Sequence, residues 1–161
     1  MFSPDGTRVV YTPLSREFRT WKRYRGGRAQ DVWIFDLESG AAEQITDFEG
    51  TDNQPTWVGD TIYFSSDRDG DFEIYTMDPD GSSQERLVVM AGGQDDADWS
   101  PDDSQIVFES EGSGNPHIYI VNSDGTGLVN ITNRADYDQD PAWSPDGDRI
   151  VFASHQVGDD D

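Results

Sequence analysis

Short runs of alternating apolar and polar residues recur along the chain, separated by turns rich in Ser, Pro, Asp and Gly. The clearest copy is Asp140–Ser154, where Trp143 leads through Ser144-Pro-Asp-Gly147 into the alternating run Arg149–Ser154. Proline presets φ for a turn and Asp-Gly tolerates positive φ, so this stretch predicts a β-hairpin. Apolar residues nowhere recur at helical spacing over a useful length, which predicts an all-β chain.

The spacing of these hairpins indicates an internal repeat. Trp57, Trp99 and Trp143 are 42 and 44 residues apart, and Phe2 stands at the Trp position of a first copy. Each copy carries up to four strand signals, which we name A to D in chain order. Four short strands repeating every ~40–45 residues are typical of β-propeller blades. A β-sandwich with coincidental spacing is the less favoured alternative.

The A strands carry the Trp, and the other strands are predicted from alternation and turn residues. Strand B is predicted at Arg8–Thr12, Thr61–Ser66, Gln105–Ser110 and Arg149–Ser154. Strand C is predicted at Asp31–Asp36, Glu73–Asp78 and His117–Asn122, and strand D at Glu43–Thr46, Glu85–Val88 and Leu128–Thr132. Alternate apolar residues of strand B, such as Ile62 and Phe64, should be buried on one side of each blade.

The strand count predicts an all-β, incomplete β-propeller of about 3.5 four-stranded antiparallel blades. We predict one propeller segment over residues 1–161: blade 1 at 1–50 with an insertion at 13–30, blade 2 at 51–93, blade 3 at 94–134 and half blade 4 at 135–161. Closed propellers have roughly four to eight blades. The remaining blades are therefore expected in the same polypeptide or in a second copy.

The charge is strongly acidic, with 33 acidic and 11 basic residues, a formal net charge of −22, and Lys22 as the single lysine. Such a surface suits a protein that stays soluble at high salt, and we expect a salt-loving source. It argues against nucleic acid as a partner. The absence of cysteine excludes disulfides. No apolar run approaches ~18 residues, and Met1 leads directly into a polar turn, so neither a membrane span nor a signal peptide is expected.

The insertion at 13–30 holds six of the 11 basic residues, interleaved with aromatic rings. In a propeller, B–C and D–A loops share one face, and the D–A loops here are acidic. The favoured interpretation is that the insertion seals this acidic face. The alternative is a ligand surface that grips a carboxylate or a peptide. Its candidate binding residues are Arg16, Arg19, Trp21, Lys22, Arg23, Arg25 and Arg28.

Chemistry-bearing motifs are sparse. There is no Gly-x-Ser-x-Gly nucleophile elbow, His-Glu-x-x-His motif or phosphate loop, and the two histidines, His117 and His155, flank strands. An acidic B–C turn offers carboxylates at alternate positions, a pattern that can wrap Ca²⁺. Its candidate ligands are Asp67, Asp69, Asp71 and Glu73. A plain hairpin turn is the favoured interpretation, and no other cofactor is predicted.

Two stretches resemble known families. The strings Ala142-Trp-Ser-Pro-Asp-Gly147…Ile150-Val-Phe-Ala-Ser154 and His117-Ile-Tyr-Ile-Val-Asn-Ser-Asp-Gly125 resemble the TolB-type, WD-like propeller repeat. Residues 7–78, with Phe18-Arg-Thr-Trp-Lys-Arg-Tyr-Arg-Gly-Gly27 and Asp31-Val-Trp-Ile-Phe-Asp36, are similar to the N-terminal propeller of tricorn-type serine peptidases.

These resemblances imply binding without catalysis. A tricorn-type chain would recognise or admit peptide or protein for an active centre elsewhere, and would be cytoplasmic. A TolB-like chain would be a protein-interaction scaffold of an envelope complex, periplasmic or exported. A hydrolase active in its own right is the least favoured possibility, because no catalytic constellation is recognisable.

Overall fold

The computed structural model describes residues 1–13, 30–112, 114–133 and 137–155. Within those ranges the chain has 13 β-strands and no helix, and therefore no helix that could cross a membrane. The strands form four antiparallel sheets. This architecture confirms the predicted fold class of an incomplete propeller. The chain divides into two compact units, Met1–Arg86 and Leu87–Asp161.

The first unit holds two sheets. One has three strands in the order β1 (Arg8–Tyr11), β2 (Trp33–Asp36) and β3 (Ala42–Gln44). The other has four, β4 (Asp52–Val58), β5 (Thr61–Ser66), β6 (Glu73–Met77) and β7 (Glu85–Arg86). An isolated antiparallel bridge between Phe2 and Val9 occupies the position of strand A beside β1. Each strand pairs with its chain neighbour, as in a blade built from hairpins.

The second unit repeats this order. Its four-stranded sheet contains β8 (Gln94–Trp99), β9 (Gln105–Ser110), β10 (His117–Asn122) and β11 (Val129–Asn130). Its two-stranded sheet contains β12 (Tyr137–Trp143) and β13 (Ile150–His155). Strand B lies where the sequence predicts it in all four copies, within one residue at each end. The D strands are shorter than predicted. The predicted division into blades at residues 50, 93 and 134 stays a prediction.

One repeated set of hydrogen bonds shapes three of the A–B turns. The Gly6 amide donates to the Ser3 carbonyl at 2.9 Å, and the Ser3 hydroxyl donates to Asp5 Oδ1 at 2.6 Å. The Ser3 hydroxyl oxygen accepts the Arg8 amide at 2.9 Å. The turns Ser100–Asp103 and Ser144–Gly147 repeat these bonds. The Ser-Pro-Asp signature is thus a side-chain clamp as well as a φ preference.

A β-bulge interrupts strand A in each of the three copies that contain the whole strand. The register shifts between Asn53 and Thr56, and likewise between Asp95 and Asp98 and between Gln139 and Ala142. The bulged residue has positive φ each time: Gln54 (50°), Asp96 (50°) and Asp140 (51°). Bulges bend a strand and redirect its side chains. Here each bulge places a polar residue with a left-handed backbone conformation near the start of strand β4, β8 or β12.

The predicted apolar positions of strands B and C form the core. In the first unit the buried cluster is Val10, Val32, Ile34, Trp57, Ile62, Phe64, Tyr75 and Met77. The second unit buries Ile106, Val107, Phe108, Ile118, Tyr119 and Val121. Each such side chain contributes roughly 1.5–3 kcal/mol of hydrophobic stabilisation.

Burial differs from the predicted alternation in one respect. Tyr63 and Val107 lie between the predicted core positions, yet they are only 9% and 0% exposed. Both faces of the inner strands β5 and β9 are therefore covered. In β13, by contrast, Val151 is 67% exposed. No described strand pairs with the outer edge of β13.

Candidate functional site

The predicted ligand-binding residues Arg16, Arg19, Trp21, Lys22, Arg23, Arg25 and Arg28 lie outside the residues that the structure describes. The described residue that follows them, Gln30, is fastened to the start of β4. Its carbonyl accepts the Asp52 amide at 2.7 Å, and its side-chain oxygen accepts the Asn53 amide group at 3.4 Å. The basic segment therefore rejoins the fold where the D–A loop of the first unit enters its blade.

Acidic groups surround this junction. Asp31 Oδ1 accepts the Phe48 amide at 3.5 Å. Burial raises the pKa of Asp31 above its ordinary value, and the nearby carboxylates Asp52 and Asp47 raise it further. A local excess of negative charge favours a cationic neighbour. Whether the basic segment seals this surface or binds a ligand beside it stays a prediction.

Arg68 neutralises the innermost of these acids. Its guanidinium donates to both oxygens of the fully buried Asp52, at 3.1 and 3.2 Å, and its Nε donates to Ser66 Oγ at 2.9 Å. The guanidinium also lies 4.6 Å from the ring centre of Tyr75 and 5.3 Å from that of Phe64. A buried ion pair needs such complete satisfaction to be stable. This arrangement makes Arg68 a structural cation.

The predicted calcium ligands lie in the same turn and face different partners. Asp67 Oδ1 accepts the Thr51 amide at 2.7 Å, and Asp69 accepts the Tyr75 hydroxyl. Glu73 pairs with Arg86, while Asp71 is exposed. Burial raises the pKa of Tyr75 to about 12, and its bond to Asp69 adds to this shift. Three of the four candidate carboxylates thus have protein partners, and cation binding here stays a prediction.

Acidic oxygens converge at a different place, in the second unit. Among the described residues, the group of three acids with oxygens within 4.8 Å of one another is Asp96, Glu109 and Asp140. Glu109 Oε2 accepts the Asp140 amide at 3.2 Å. Burial raises the pKa of Glu109, and the charges of Asp96, Asp95 and Asp140 raise it further. We name this group the acidic triad and regard it as an anionic surface, because carboxylate proximity alone does not identify a metal site.

The start of strand β12 carries the buried acid Asp138, which is 0% exposed. Its amide donates to the Pro116 carbonyl at 3.0 Å, and its Oδ2 lies 4.0 Å from Nδ1 of the buried His117. The other histidine, His155, is exposed and lies opposite Tyr137. In the described part of the chain neither histidine is hydrogen-bonded to a serine. No serine–histidine pair for acyl transfer is therefore assembled among those residues.

The acidic triad and the His117–Asp138 pair were not predicted from the sequence. Aligning the copies by strand register would have indicated the pair. Asp52, Gln94 and Asp138 share one position, and Arg68, Gly112 and Gln156 share another. Asp52 and Arg68 carry opposite charges, whereas Gln94 and Gly112 are both uncharged. In the last copy the acid Asp138 corresponds to an uncharged residue at position 156.

Successive antiparallel sheets of up to four short strands, three of which contain the same clamped A–B turn, define a β-propeller protein. The sequence profile of the tricorn protease N-terminal beta propeller domain matches residues 1–88. The chain belongs to that family. The match confirms the resemblance drawn from residues 7–78 and extends it at both ends.

Known proteins resemble the chain over different lengths. Tricorn protease homolog 1 of Streptomyces coelicolor is 38% identical over 87 residues, which are 53% of this chain and 8% of that protein. The crystal structure of the tricorn protease has a TM-score of 0.62 at 29% identity, over 95% of this chain and 15% of that chain. A protein proposed to be TolB, from Agrobacterium tumefaciens, has a TM-score of 0.69 at 27% identity, over 99% of this chain and 55% of its own. The chain therefore spans about half or less of each of these proteins, and the TolB-type resemblance is confirmed alongside the tricorn one.

Proposed function

We propose that the chain is a non-catalytic propeller segment that binds peptide or protein for a tricorn-like peptidase. The observation that carries this proposal is the family match over residues 1–88, with the structural likeness to the tricorn protease. The lack of a serine–histidine hydrogen bond among the described residues is consistent with an active centre elsewhere in the polypeptide. Further blades, from the same polypeptide or a second copy, would complete the propeller.

The recognition surface that we propose is the basic segment at 13–30. Its arginines can grip a carboxylate through paired hydrogen bonds, and its aromatic rings can cover apolar peptide side chains. The attachment of Gln30 to the start of β4 supports this placement, because it fixes one end of the segment to a rigid strand. The acids Asp31 and Asp47 beside this junction would orient the segment's cations.

Charge reversal separates binding from a purely structural seal. The variant Arg19→Glu/Arg23→Glu/Arg25→Glu should keep the melting temperature of the 161-residue chain while losing affinity for an acidic or C-terminally free peptide in calorimetry. Arg149→Glu, a single reversal in the last hairpin along the chain, is the control and should bind like the parent chain. A large fall in melting temperature in the triple variant would instead support the seal.

The second candidate is a TolB-like protein-interaction scaffold, favoured by the structural likeness over 99% of the chain. The neighbouring reading frame distinguishes the two candidates. A downstream peptidase domain with a serine nucleophile supports peptide delivery, whereas an upstream export signal supports the scaffold.

A hydrolase is the least favoured candidate. We expect no peptide hydrolysis by the chain, and hydrolysis that survives loss of His117 and His155 would exclude a histidine-dependent mechanism.

A further inference from the structure

Two corresponding seams join consecutive blades, one in each unit. By a seam we mean the contact between the start of strand A and the start of strand C in the preceding blade. In the first unit the Asp52 amide donates to the Gln30 carbonyl, and in the second the Asp138 amide donates to the Pro116 carbonyl. Asp31 follows Gln30 in the chain and His117 follows Pro116, and each of the two lies near the buried acid of the next blade. The charge of Asp52 contributes to the raised pKa of Asp31, and His117 Nδ1 lies 4.0 Å from Asp138 Oδ2.

The two seams differ in the source of positive charge. Asp52 receives the guanidinium of Arg68 from its own blade. The corresponding position in the last copy is Gln156, which carries no charge. Asp138 nevertheless remains an acid, fully buried, and neither of its carboxylate oxygens has a hydrogen-bond donor among the described residues. A buried carboxylate without a partner is strongly destabilising, so this seam needs a cation from elsewhere.

His117 is placed to supply that cation. It is 4% exposed, and its Nδ1 has no hydrogen-bond partner within the described structure. The residues paired with it across the sheet are uncharged: Ser110 on β9, and Gln94 beyond it on β8. Ser154 lies opposite Asp138 on β13. The other ionisable residues on the strands packed around the pair are Asp95, Asp96 and Asp98 on β8, Glu109 on β9, Tyr119 on β10, Tyr137 and Asp140 on β12, and His155 on β13.

We propose that His117 and Asp138 form a proton-dependent ionic lock that fastens β12 to β10. A protonated imidazole has donors on both ring nitrogens, and a small rotamer change would shorten the 4.0 Å separation to hydrogen-bond length. Formation of the lock requires that the imidazole is protonated while the carboxylate is ionised. Because closing it takes up a proton, the stability of the seam rises as the pH falls from 8 to 6.

The test compares Asp138→Asn with the parent chain in denaturant unfolding at pH 6.0 and pH 8.5. At pH 6.0 the substitution breaks the lock, and the unfolding equilibrium constant should rise about tenfold, as for one charge-assisted hydrogen bond. At pH 8.5 it removes an unpaired buried charge, so the constant should be unchanged or lower. Asp52→Asn is the matched control and should raise the constant at both pH values, because Arg68 stays charged. An equal effect of Asp138→Asn at both pH values would overturn the proposal.

Nitrogen-15 NMR of the unaltered chain tests the lock even where the variants do not fold. At pH 6.0 the Nδ1 of His117 should carry a slowly exchanging proton, which disappears at pH 8.5. The exposed His155 serves as the internal comparison, and its ring protons should exchange rapidly at both pH values. A rapidly exchanging or absent Nδ1 proton on His117 at pH 6.0 would overturn the proposal.

Discussion

At the scale of single residues, the fold depends on a few buried charges whose partners differ between copies of the repeat. Asp52 and Arg68 satisfy each other in one blade, while Gln94 and Gly112 occupy the same positions in the next. A neutral pair can replace an ion pair without loss, whereas one charge left buried alone strongly destabilises the fold. The copies therefore show which substitutions must occur together.

This dependence predicts a non-additive pair of substitutions. Arg68→Gly should lower the free energy of unfolding by about 3–5 kcal/mol, because it leaves Asp52 buried and unpaired. Adding Asp52→Gln reproduces the pair of the neighbouring copy and should recover part of that loss. The ring contacts of Arg68 are not restored. Chemical denaturation of the two single variants and the double variant measures the coupling, and additive losses would contradict the prediction.

The acidic triad predicts a pH-dependent stabilisation by Glu109→Gln. The raised pKa of Glu109 means that the fold binds its proton more tightly than the unfolded chain does, so Glu109 destabilises the fold once the pH rises through the folded-state pKa. Gln keeps an acceptor for the Asp140 amide but removes the charge. At pH 7 the free energy of unfolding of the variant should therefore exceed that of the parent by about 1 kcal/mol or less, because solvent screens the site. The difference should vanish near pH 4, and a constant difference would refute the assignment.

Residue chemistry was only partly predictable from the sequence. The turns followed directly from the Ser-Pro-Asp strings, because backbone preferences of adjacent residues determine them. The Ser–Asp hydrogen bonds within these turns were not predicted. The carboxylates of Asp67–Glu73 looked like one cluster, but their partners Thr51, Tyr75 and Arg86 come from other strands. Contacts of that kind depend on register and bulges. Local spacing does not contain this information.

At the scale of elements, the turns and strands were the most predictable features. Alternation and turn residues are local signals, and they placed strand B within one residue in every copy. The D strands were predicted too long because they lie at the edge of their sheets. There only two or three residues pair with strand C, and the alternating pattern continues beyond the last ladder hydrogen bond.

Glycines in the C–D turn at Gly125 and in the A–B turn at Gly147 predict a position-specific cost for losing glycine. Gly125 has φ +81°, and a Cβ there would lie 2.8 Å from the Leu87 carbonyl oxygen. Gly147 has a similar φ of +74°, but its Cβ would meet only Pro101 at 3.6 Å, an ordinary contact. Both alanine variants carry the left-handed backbone strain of about 1–2 kcal/mol. Gly125→Ala should lose about 1–3 kcal/mol more from the clash, measured by thermal unfolding. Equal losses would contradict this account of the turn.

At the scale of the whole molecule, the repeat determined the fold class and the charge determines the response to solvent. A unit of four strands cannot cover its own faces, so the repeat itself implied blades that pack on one another. What the repeat could not indicate is the ligand, because propeller blades share a framework and differ in the loops between strands. The candidate recognition residues lie in the segment that departs most from the repeat.

The net charge of −22 predicts that salt stabilises the chain. Self-repulsion among 33 acidic side chains weakens as the Debye length falls to about 3 Å at 1 M salt. The melting temperature should therefore rise between 0.1 M and 1 M NaCl, consistent with the proposed salt-loving source. Glu109→Gln should gain less from salt than the parent chain. A melting temperature independent of salt would argue against self-repulsion as a significant cost.

We propose that the chain recognises peptides through the arginines of its insertion. Isothermal titration of the 161-residue chain with one peptide in two forms, with a free C-terminal carboxylate and with a C-terminal amide, tests this proposal. We predict binding of the free carboxylate that weakens at least about tenfold for the amide, since an arginine–carboxylate pair is lost. Equal affinity for the two forms, or no binding of either, would contradict the claim.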